Sequence, residues 1–222
     1  MTRFILASLS PRRRQLMRLL GFPYDVKSIP VDENSITNPD PARNCLETAQ
    51  LKSHAVAAHL QQSNSARSII VAADTIVAVD NHMLGKPQDA ANAFEMLSVL
   101  RDRSHEVHTG VSIIDLETGG EIQSVHTAEV VMRPYSDREI KEYIATGDPL
   151  DKAGAYAIQD SKFKPVRQLN GCYLGVMGLS ICHLLQLLTA AGLPINADER
   201  SLRLAHQEYP CPVFDKITQK QS

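Results

Sequence analysis

The chain has 222 residues, a formal net charge of −2, ordinary hydrophobic content and no tryptophan. This length fits one large domain or two small lobes, and the near-neutral charge disfavours a dedicated nucleic-acid binder, which is usually basic. No apolar run is long enough to span a bilayer, and residues 4–9 are too short for the apolar part of a signal peptide. We therefore expect a cytoplasmic protein that does not enter a membrane.

The cysteines give no sign of a disulfide framework or a metal site. The four of them, Cys45, Cys172, Cys182 and Cys211, contain no C-x-x-C pair. We expect reduced thiols, as in a cytosolic protein, and no zinc site.

The first structured stretch predicts a strand, a tight turn and a helix. Residues 4–6 are an apolar run, Ser10 is a good N-cap, and Pro11 suits the first position of a helix. The arginines at residues 12–14 then fall in the first turn, where positive side chains oppose the helix dipole. Free N–H groups beside arginines resemble a receptor for phosphate, and a solvated basic turn is the alternative.

The next helix is predicted to begin at residues 38–41 and to run to about Gln62. One arc of its surface is apolar and contains Cys45, Ala49, Val56 and Leu60. Lys52 falls in the middle of this arc, so its side chain either snorkels to the edge or points into a cleft. Two acids, Asp32 and Glu33, precede the helix in a loop, where carboxylates are usually solvated.

Residues 68–79 form a nearly continuous apolar run, which predicts a central strand buried on both faces. Asp74 interrupts the run and is followed by Thr75. An unpaired buried charge is costly, so we expect Asp74 at a strand end or a bulge, facing a polar site. Carboxylates in such places serve as metal ligands or general bases.

Further elements follow in order. Lys86 is displayed between Gly85 and Pro87 in a motif that lacks P-loop spacing, and a helix follows over residues 89–100. Alternation over residues 107–113 and the run at 121–133 predict an antiparallel pair. The nearby histidines, His105, His108 and His126, have no clear ligand spacing and are expected to be structural.

The last third of the sequence combines a helix, a polar loop and an apolar helix. Residues 136–145 predict a helix capped by Ser136, and the loop at residues 148–159 ends at Gln159, whose amide could read a base edge. Residues 171–178 suggest a strand and turn, and residues 179–191 a core helix. Beyond Pro194 the chain is predicted to be an added tail.

Six motifs in order resemble the Maf family of nucleoside triphosphate pyrophosphatases. They read I-L-A-S-L-S-P-R-R, A-D-T, G-K-P, S-H-E-V-H-T-G-V, D-K-A-G-A-Y and V-M-G-L, within residues 1–194. The resemblance implies a mixed α/β fold with two lobes around a central cleft, as in inosine triphosphate pyrophosphatases. It makes residues 1–194 the nucleotide pyrophosphatase domain and residues 195–222 a C-terminal extension.

The resemblance also implies a reaction and a site. A nucleoside triphosphate would be hydrolysed to the monophosphate and pyrophosphate with Mg²⁺ or Mn²⁺, and the family expectation is a homodimer. Asp74 would be the proton acceptor and, with Glu33, a metal ligand. Specificity for the base would fall to Arg12, Thr75 and Gln159, and contacts with the phosphates to Ser8, Arg13, Lys52 and Lys86.

Three dipeptides resemble the branch that acts on dTTP and UTP: Arg12–Arg13, Asp74–Thr75 and Ile158–Gln159. Ala157 and Asp160 replace the two glycines usual around the last dipeptide, and we expect Asp160 to add negative charge near the substrate. The alternatives are the branch specific for 7-methyl-GTP, and a nucleotide-sensing regulator of cell division with little hydrolytic activity.

Overall fold

The computed structural model describes residues 2–61, 68–193, 197–207 and 209–219, with side chains up to residue 215. The strands are β1 (Arg3–Leu6), β2 (Tyr24–Val26), β3 (Ser68–Val79), β4 (His82–Leu84), β5 (Ser104–Asp115), β6 (Glu121–Met132) and β7 (Val166–Asn170). The helices are α1 (Pro11–Met17), α2 (Pro41–Gln61), α3 (Ala90–Leu100), α4 (Asp137–Ile144), α5 (Tyr173–Val176), α6 (Ile181–Ala190), α7 (Glu199–Ala205) and α8 (Pro212–Gln219).

The described strands form a seven-stranded mixed sheet in the order β2-β1-β3-β5-β6-β7, and β4 pairs with the far end of β3. β1 is parallel to both β2 and β3, whereas β3, β5, β6 and β7 are joined by antiparallel pairing. The long β5–β6 pair was expected from its alternation. The prediction of a mixed α/β fold is confirmed.

The strand period of two sorts the side chains of β3 between two cores. Ile69, Val71 and Ala73 join the larger core, which also contains residues of α3, α4 and α6. Ile70 and Ala72 join a smaller core with Val56 and Leu60 of α2. Asp74 continues this second series, so the pleat directs its carboxylate towards α2, and Thr75 points to the opposite side.

Asp74 lies in the middle of β3, and the prediction of a strand end or bulge is wrong. Its backbone pairs with Gly110 of β5 in regular register. The other edge of β3 explains how a carboxylate is tolerated there. β1 pairs with β3 only as far as Val71, and β4 pairs from Val77 onward, so the edge beside Asp74 lies between these two partners. The site opens at this interruption, where β1 ends.

α2 lies very close to the sheet at Gly110. A Cβ at this position would lie 2.7 Å from the carbonyl oxygen of Cys45 and 2.7 Å from Leu46 Cα. Only glycine leaves room for this approach. The close packing fixes the height of α2 above the sheet and therefore the position from which Lys52 reaches the cleft.

Local predictions near both ends of the domain needed two corrections. Ser10 caps α1 as expected, accepting from the backbone N–H of Arg13 at 3.4 Å, and Gly21 ends the following turn with φ 74°. The sequence also suggests a second strand over residues 24–29, and the structure forms it only over Tyr24–Val26. Residues 171–178 were predicted as strand and turn. The strand β7 ends before them, and residues 173–176 form the one-turn helix α5.

The described part of the C-terminal segment packs on the domain. Leu202, Cys211 and Phe214 are buried in the larger core, together with residues of α6. The predicted domain boundary at residues 194–195 lies outside the described residues and stays a prediction. None of the described helices has the length and apolar character that crossing a membrane requires.

Candidate active site

A cleft of about 430 Å³ opens beside the carboxyl end of β1. Every residue predicted for the site lines it: Ser8, Arg12, Arg13, Glu33, Lys52, Asp74, Thr75, Lys86 and Gln159. These side chains come from segments up to 151 residues apart in sequence, so the fold brings together what the motifs suggested. Their individual roles stay predictions.

Lys52 links the two predicted metal-binding carboxylates. Its Nζ lies 2.8 Å from Asp74 Oδ1 and 2.9 Å from Glu33 Oε2. The Lys52 and Asp74 side chains are 15% and 16% exposed, whereas Glu33 is 56% exposed at the rim. Of the two alternatives for Lys52, the structure shows the one in which it points into the cleft.

Arg13 also lies beside Asp74, and three acceptors hold its guanidinium in place. Its guanidinium donates to the carbonyl oxygen of Gly178 at 2.9 Å, to Thr75 Oγ1 at 3.3 Å and to Ser8 Oγ at 3.5 Å. The Asp74 carboxylate lies 3.8 Å away. Burial lowers the pKa of Arg13 from its ordinary value, and the charge of Asp74 opposes that shift. This arginine is therefore fixed before any ligand arrives.

Arg12 faces a different wall of the same cleft. It donates to Asp151 at 3.1 Å, and Asp151 also accepts from Lys152 at 2.6 Å. The D-K pair of the fifth motif therefore forms part of the site, although the residue-level prediction omitted it. Lys152 is buried, and its ammonium also contacts the carboxylate and the carbonyl of Asp148. Arg14, the third arginine of the run, is exposed.

The carboxylate of Asp160 in the predicted base-side loop binds the backbone of its own turn. Asp160 Oδ1 accepts the backbone N–H groups of Lys162 and Phe163, at 3.0 and 2.6 Å, and so caps its own turn. Asp160 is not among the residues that line the cleft, and its effect on the charge near the substrate stays a prediction. Ala157 and Gln159 do line the cleft, and the Ala157 N–H donates to Tyr143 Oη at 3.0 Å, which fixes the loop.

The donor set at Asp74 fits a hard divalent cation. Two carboxylates, those of Asp74 and Glu33, converge on the same ammonium group. Mg²⁺ is usually held by one or two carboxylates together with water and phosphate oxygens. The Lys52 ammonium contacts both carboxylates here, so shared binding of an ion would require Lys52 to move.

The histidines of the β5–β6 pair have structural partners, in line with their expected role. His105 Nε2 hydrogen-bonds Tyr156 Oη at 2.8 Å, His108 Nδ1 pairs with Thr127 Oγ1 at 2.9 Å, and His126 Nε2 accepts the Cys172 N–H at 3.0 Å. The cysteines are free thiols, as predicted. Three of them nevertheless lie together with His206, a grouping that their sequence spacing did not reveal.

Comparison with known proteins identifies the family. The family model described as "Maf-like protein" matches residues 3–191. The chain belongs to the Maf-like family. Curated relatives agree: the dTTP/UTP pyrophosphatase of Thermomicrobium roseum is 42% identical over 93% of this chain and 92% of its own length. That of Salinibacter ruber is 39% identical over 84% of this chain and 90% of its own length.

Among solved structures, the Ham1 protein of Staphylococcus aureus is similar at a TM-score of 0.44 and 16% identity, over 86% of this chain and 99% of that protein. The assignment to the Maf-like family rests on the sequence matches rather than on this low similarity. The match to the family model ends before α7, so His206 and Cys211 lie beyond it.

Proposed function

We propose that this Maf-like protein hydrolyses nucleoside triphosphates, dTTP and UTP foremost, to the nucleoside monophosphate and pyrophosphate. The observation that carries the proposal is the placement of Asp74 between Lys52 and Arg13 in one cleft of a chain that belongs to this family. The names of the curated relatives support the choice of substrates.

The cations of the cleft suit a triphosphate. Arg13 is fixed by its three acceptors, and Lys52 and Lys86 line the same cavity, so several positive groups converge on a polyanion. Arginine presents a rigid fork of donors, whereas lysine supplies a movable point charge. Most of the rate enhancement in phosphoryl transfer comes from such positioning and charge neutralisation.

Asp74 is proposed to accept the proton of the attacking water at the α-phosphorus, and pyrophosphate leaves. Glu33 and Asp74 would hold the divalent cation, which supplies Lewis-acid neutralisation of the phosphate oxygens when bound. Lys52 orients the Asp74 side chain before the substrate arrives, because its ammonium lies 2.8 Å from the carboxylate. Movement of the Lys52 ammonium from Asp74 to the phosphates would then leave the Asp74 carboxylate free to accept the proton of the water.

Selection of the base is proposed to involve Arg12, Thr75 and Gln159. Gln159 offers both a donor and an acceptor to a pyrimidine edge. Thr75 acts in part through Arg13, since its hydroxyl accepts from that guanidinium at 3.3 Å. A base that leaves these polar groups unpaired in the cleft would be rejected, because buried unpaired groups are costly.

The deciding experiment measures pyrophosphate release from dTTP, UTP, CTP, GTP and 7-methyl-GTP with Mg²⁺ or Mn²⁺. We expect kcat/KM to be highest for dTTP and UTP, and activity to vanish when the cation is chelated. Preference for 7-methyl-GTP would assign the other branch. Calorimetric binding of nucleotides without any pyrophosphate release would instead support the regulatory alternative and defeat the proposal.

We also propose that the protein is a cytoplasmic homodimer that does not bind nucleic acid. Sedimentation analysis at micromolar concentration tests the first point. DNA and RNA titrations at low and moderate salt test the second, because phosphate-driven binding weakens steeply with salt.

A further inference from the structure

Three buried cysteines surround one buried histidine on the side of the domain where the C-terminal segment packs. The ligand atoms of Cys172, Cys182, His206 and Cys211 all lie within 4.8 Å of one another. His206 Nε2 is 3.6 Å from Cys172 Sγ and 3.3 Å from Cys182 Sγ. All four residues are at most 4% exposed.

Two sulfur–nitrogen distances match a tetrahedral ion with three sulfur ligands and one nitrogen, and the remaining separations stay within 4.8 Å. With Zn–S near 2.3 Å and Zn–N near 2.0–2.1 Å, a tetrahedron places sulfur and nitrogen roughly 3.5 Å apart and two sulfurs about 3.8 Å apart. The observed sulfur–nitrogen distances of 3.6 and 3.3 Å bracket the first value. A multi-iron cluster would put its ligands on different metal atoms and spread them further, so the geometry favours a single ion.

The tautomer of His206 is set for metal binding. Its Nδ1–H donates to the carbonyl oxygen of Leu202 at 2.7 Å, which leaves the Nε2 lone pair directed at the sulfurs. A backbone carbonyl on the far nitrogen is the usual way in which a ligating imidazole is oriented. Cys211 Sγ in turn accepts the N–H of Phe214 at 3.4 Å, a contact that stabilises negative charge on sulfur.

Thiols alone account poorly for this arrangement. One imidazole lone pair can accept from a single S–H, and a thiol is a weak donor and acceptor, so three thiols around one nitrogen leave polar groups poorly satisfied. Burial makes that shortfall costly. Cys45 shows the contrast. It lies apart from the group, donates to the Ala42 carbonyl at 3.1 Å, and its burial raises the pKa of its thiol to about 12.

We propose that Cys172, Cys182, His206 and Cys211 bind one structural Zn²⁺ that fastens the C-terminal segment to the domain. Binding releases the three thiol protons to solvent, and the site then carries three thiolates, one neutral imidazole and a net charge of −1. The expectation from sequence that a zinc site is absent is thereby replaced.

The connectivity gives the site its structural role. Cys172 caps the start of α5 and Cys182 lies in α6, both within the residues matched by the family model. His206 ends α7 and Cys211 immediately precedes α8, beyond that match. One ion would therefore cross-link two segments that also pack together through Leu202, Phe214 and the stacked rings of Tyr173 and Tyr209. The segment between Cys172 and Cys182 also contains Gly178, whose carbonyl oxygen accepts a hydrogen bond from Arg13 in the cleft.

The test begins with metal content and does not depend on any nucleotide activity. Protein produced with added zinc, purified under reducing conditions and desalted is expected to hold one zinc per chain by mass spectrometry of the metals. Replacement by Co²⁺ should give a thiolate-to-cobalt charge-transfer band and the visible bands of tetrahedral cobalt. Folded wild-type protein with far less than one zinc per chain would overturn the proposal.

Matched variants separate ligation from packing. Cys211→Ser and His206→Ala are expected to lose the zinc, whereas Cys45→Ser, which removes a buried thiol elsewhere, should keep it. If the first two fail to fold, His206→Cys decides. It offers four thiolates and should keep one zinc per chain with a shifted cobalt spectrum. Zinc retained by both His206→Ala and Cys211→Ser, bound iron with sulfide, or a disulfide within the group would each contradict the assignment.

Discussion

Lys52 Nζ lies 2.8 Å from Asp74 Oδ1, and the two side chains come from α2 and from the middle of β3. The pleat of β3 points Asp74 towards α2, and the close approach of α2 at Gly110 brings Lys52 within reach. A buried carboxylate is costly unless it is paired. The contact with Lys52 therefore offsets this cost for Asp74, and the pair links the stability of the fold to the chemistry proposed for the cleft.

Asp74→Asn tests the proposed proton acceptor. Asparagine has nearly the same shape, so the fold should persist with a similar melting temperature, while kcat for dTTP falls by roughly 10²–10⁴, the usual contribution of a general base. Pyrophosphate release and circular dichroism measure the two effects. Turnover near that of the wild type would remove Asp74 from the mechanism.

Lys52→Ala should raise KM and lower kcat, because the variant loses a cation and leaves Asp74 beside Glu33 without the ammonium between them. A loss of roughly 10²-fold in kcat/KM is expected from removing one such electrostatic group. Lys162→Ala, at an exposed lysine outside the cleft, is the control. Unchanged steady-state kinetics of Lys52→Ala would make its contact with Asp74 merely structural.

Arg13→Lys should be far from conservative. The guanidinium reaches Gly178, Thr75 and Ser8 at once, and a single ammonium cannot reproduce this fork. We expect a drop of at least about tenfold in kcat/KM for the triphosphate. Added salt should restore neither kcat nor KM. Arg14→Lys, on the exposed side of α1, should retain wild-type values; equal losses in both variants would contradict the assignment.

Gly110→Ala tests the packing that positions α2. The new methyl group would lie 2.7 Å from backbone atoms of Cys45 and Leu46, which cannot move aside as a side chain end can. Overpacking of this kind typically costs about 1–3 kcal/mol. Urea denaturation should show the loss, whereas Gly85→Ala, with no atom within 4 Å of the new Cβ, should unfold close to the wild type. An equally stable Gly110→Ala protein would show that α2 can shift.

His105 should make the fold less stable in mild acid. Burial lowers the pKa of His105 from 6.5 to about 4, so the folded state binds fewer protons than the unfolded state between these values. Stability therefore falls as the pH drops from about 6.5 to about 4, by up to roughly 3 kcal/mol. His105→Gln keeps a polar partner for Tyr156 and should show a flatter profile in urea unfolding. Parallel profiles for the two proteins would exclude this role.

The mixed sheet, the main helices and the membership of the cleft were largely readable from the sequence. Strand alternation, N-caps and the apolar arc of α2 are local, and local steric and hydrogen-bonding preferences produce them. Asp74 was identified as exceptional because a carboxylate in a buried run demands a partner. Its place within the strand does not follow from the sequence, because the gap in pairing on that edge depends on where β1, distant in sequence, stops and where β4 starts.

The sequence by itself determined the types of group in the cleft, from the motifs that contain Arg12, Arg13, Asp74 and Lys86. Only the tertiary structure decided how they are paired: Lys52 towards Asp74, Arg12 towards Asp151, and Asp160 into its own turn. It also brought Cys172, Cys182, His206 and Cys211 together. Side-chain direction follows from backbone register and helix packing, which depend on contacts between distant segments, so linear spacing does not fix it.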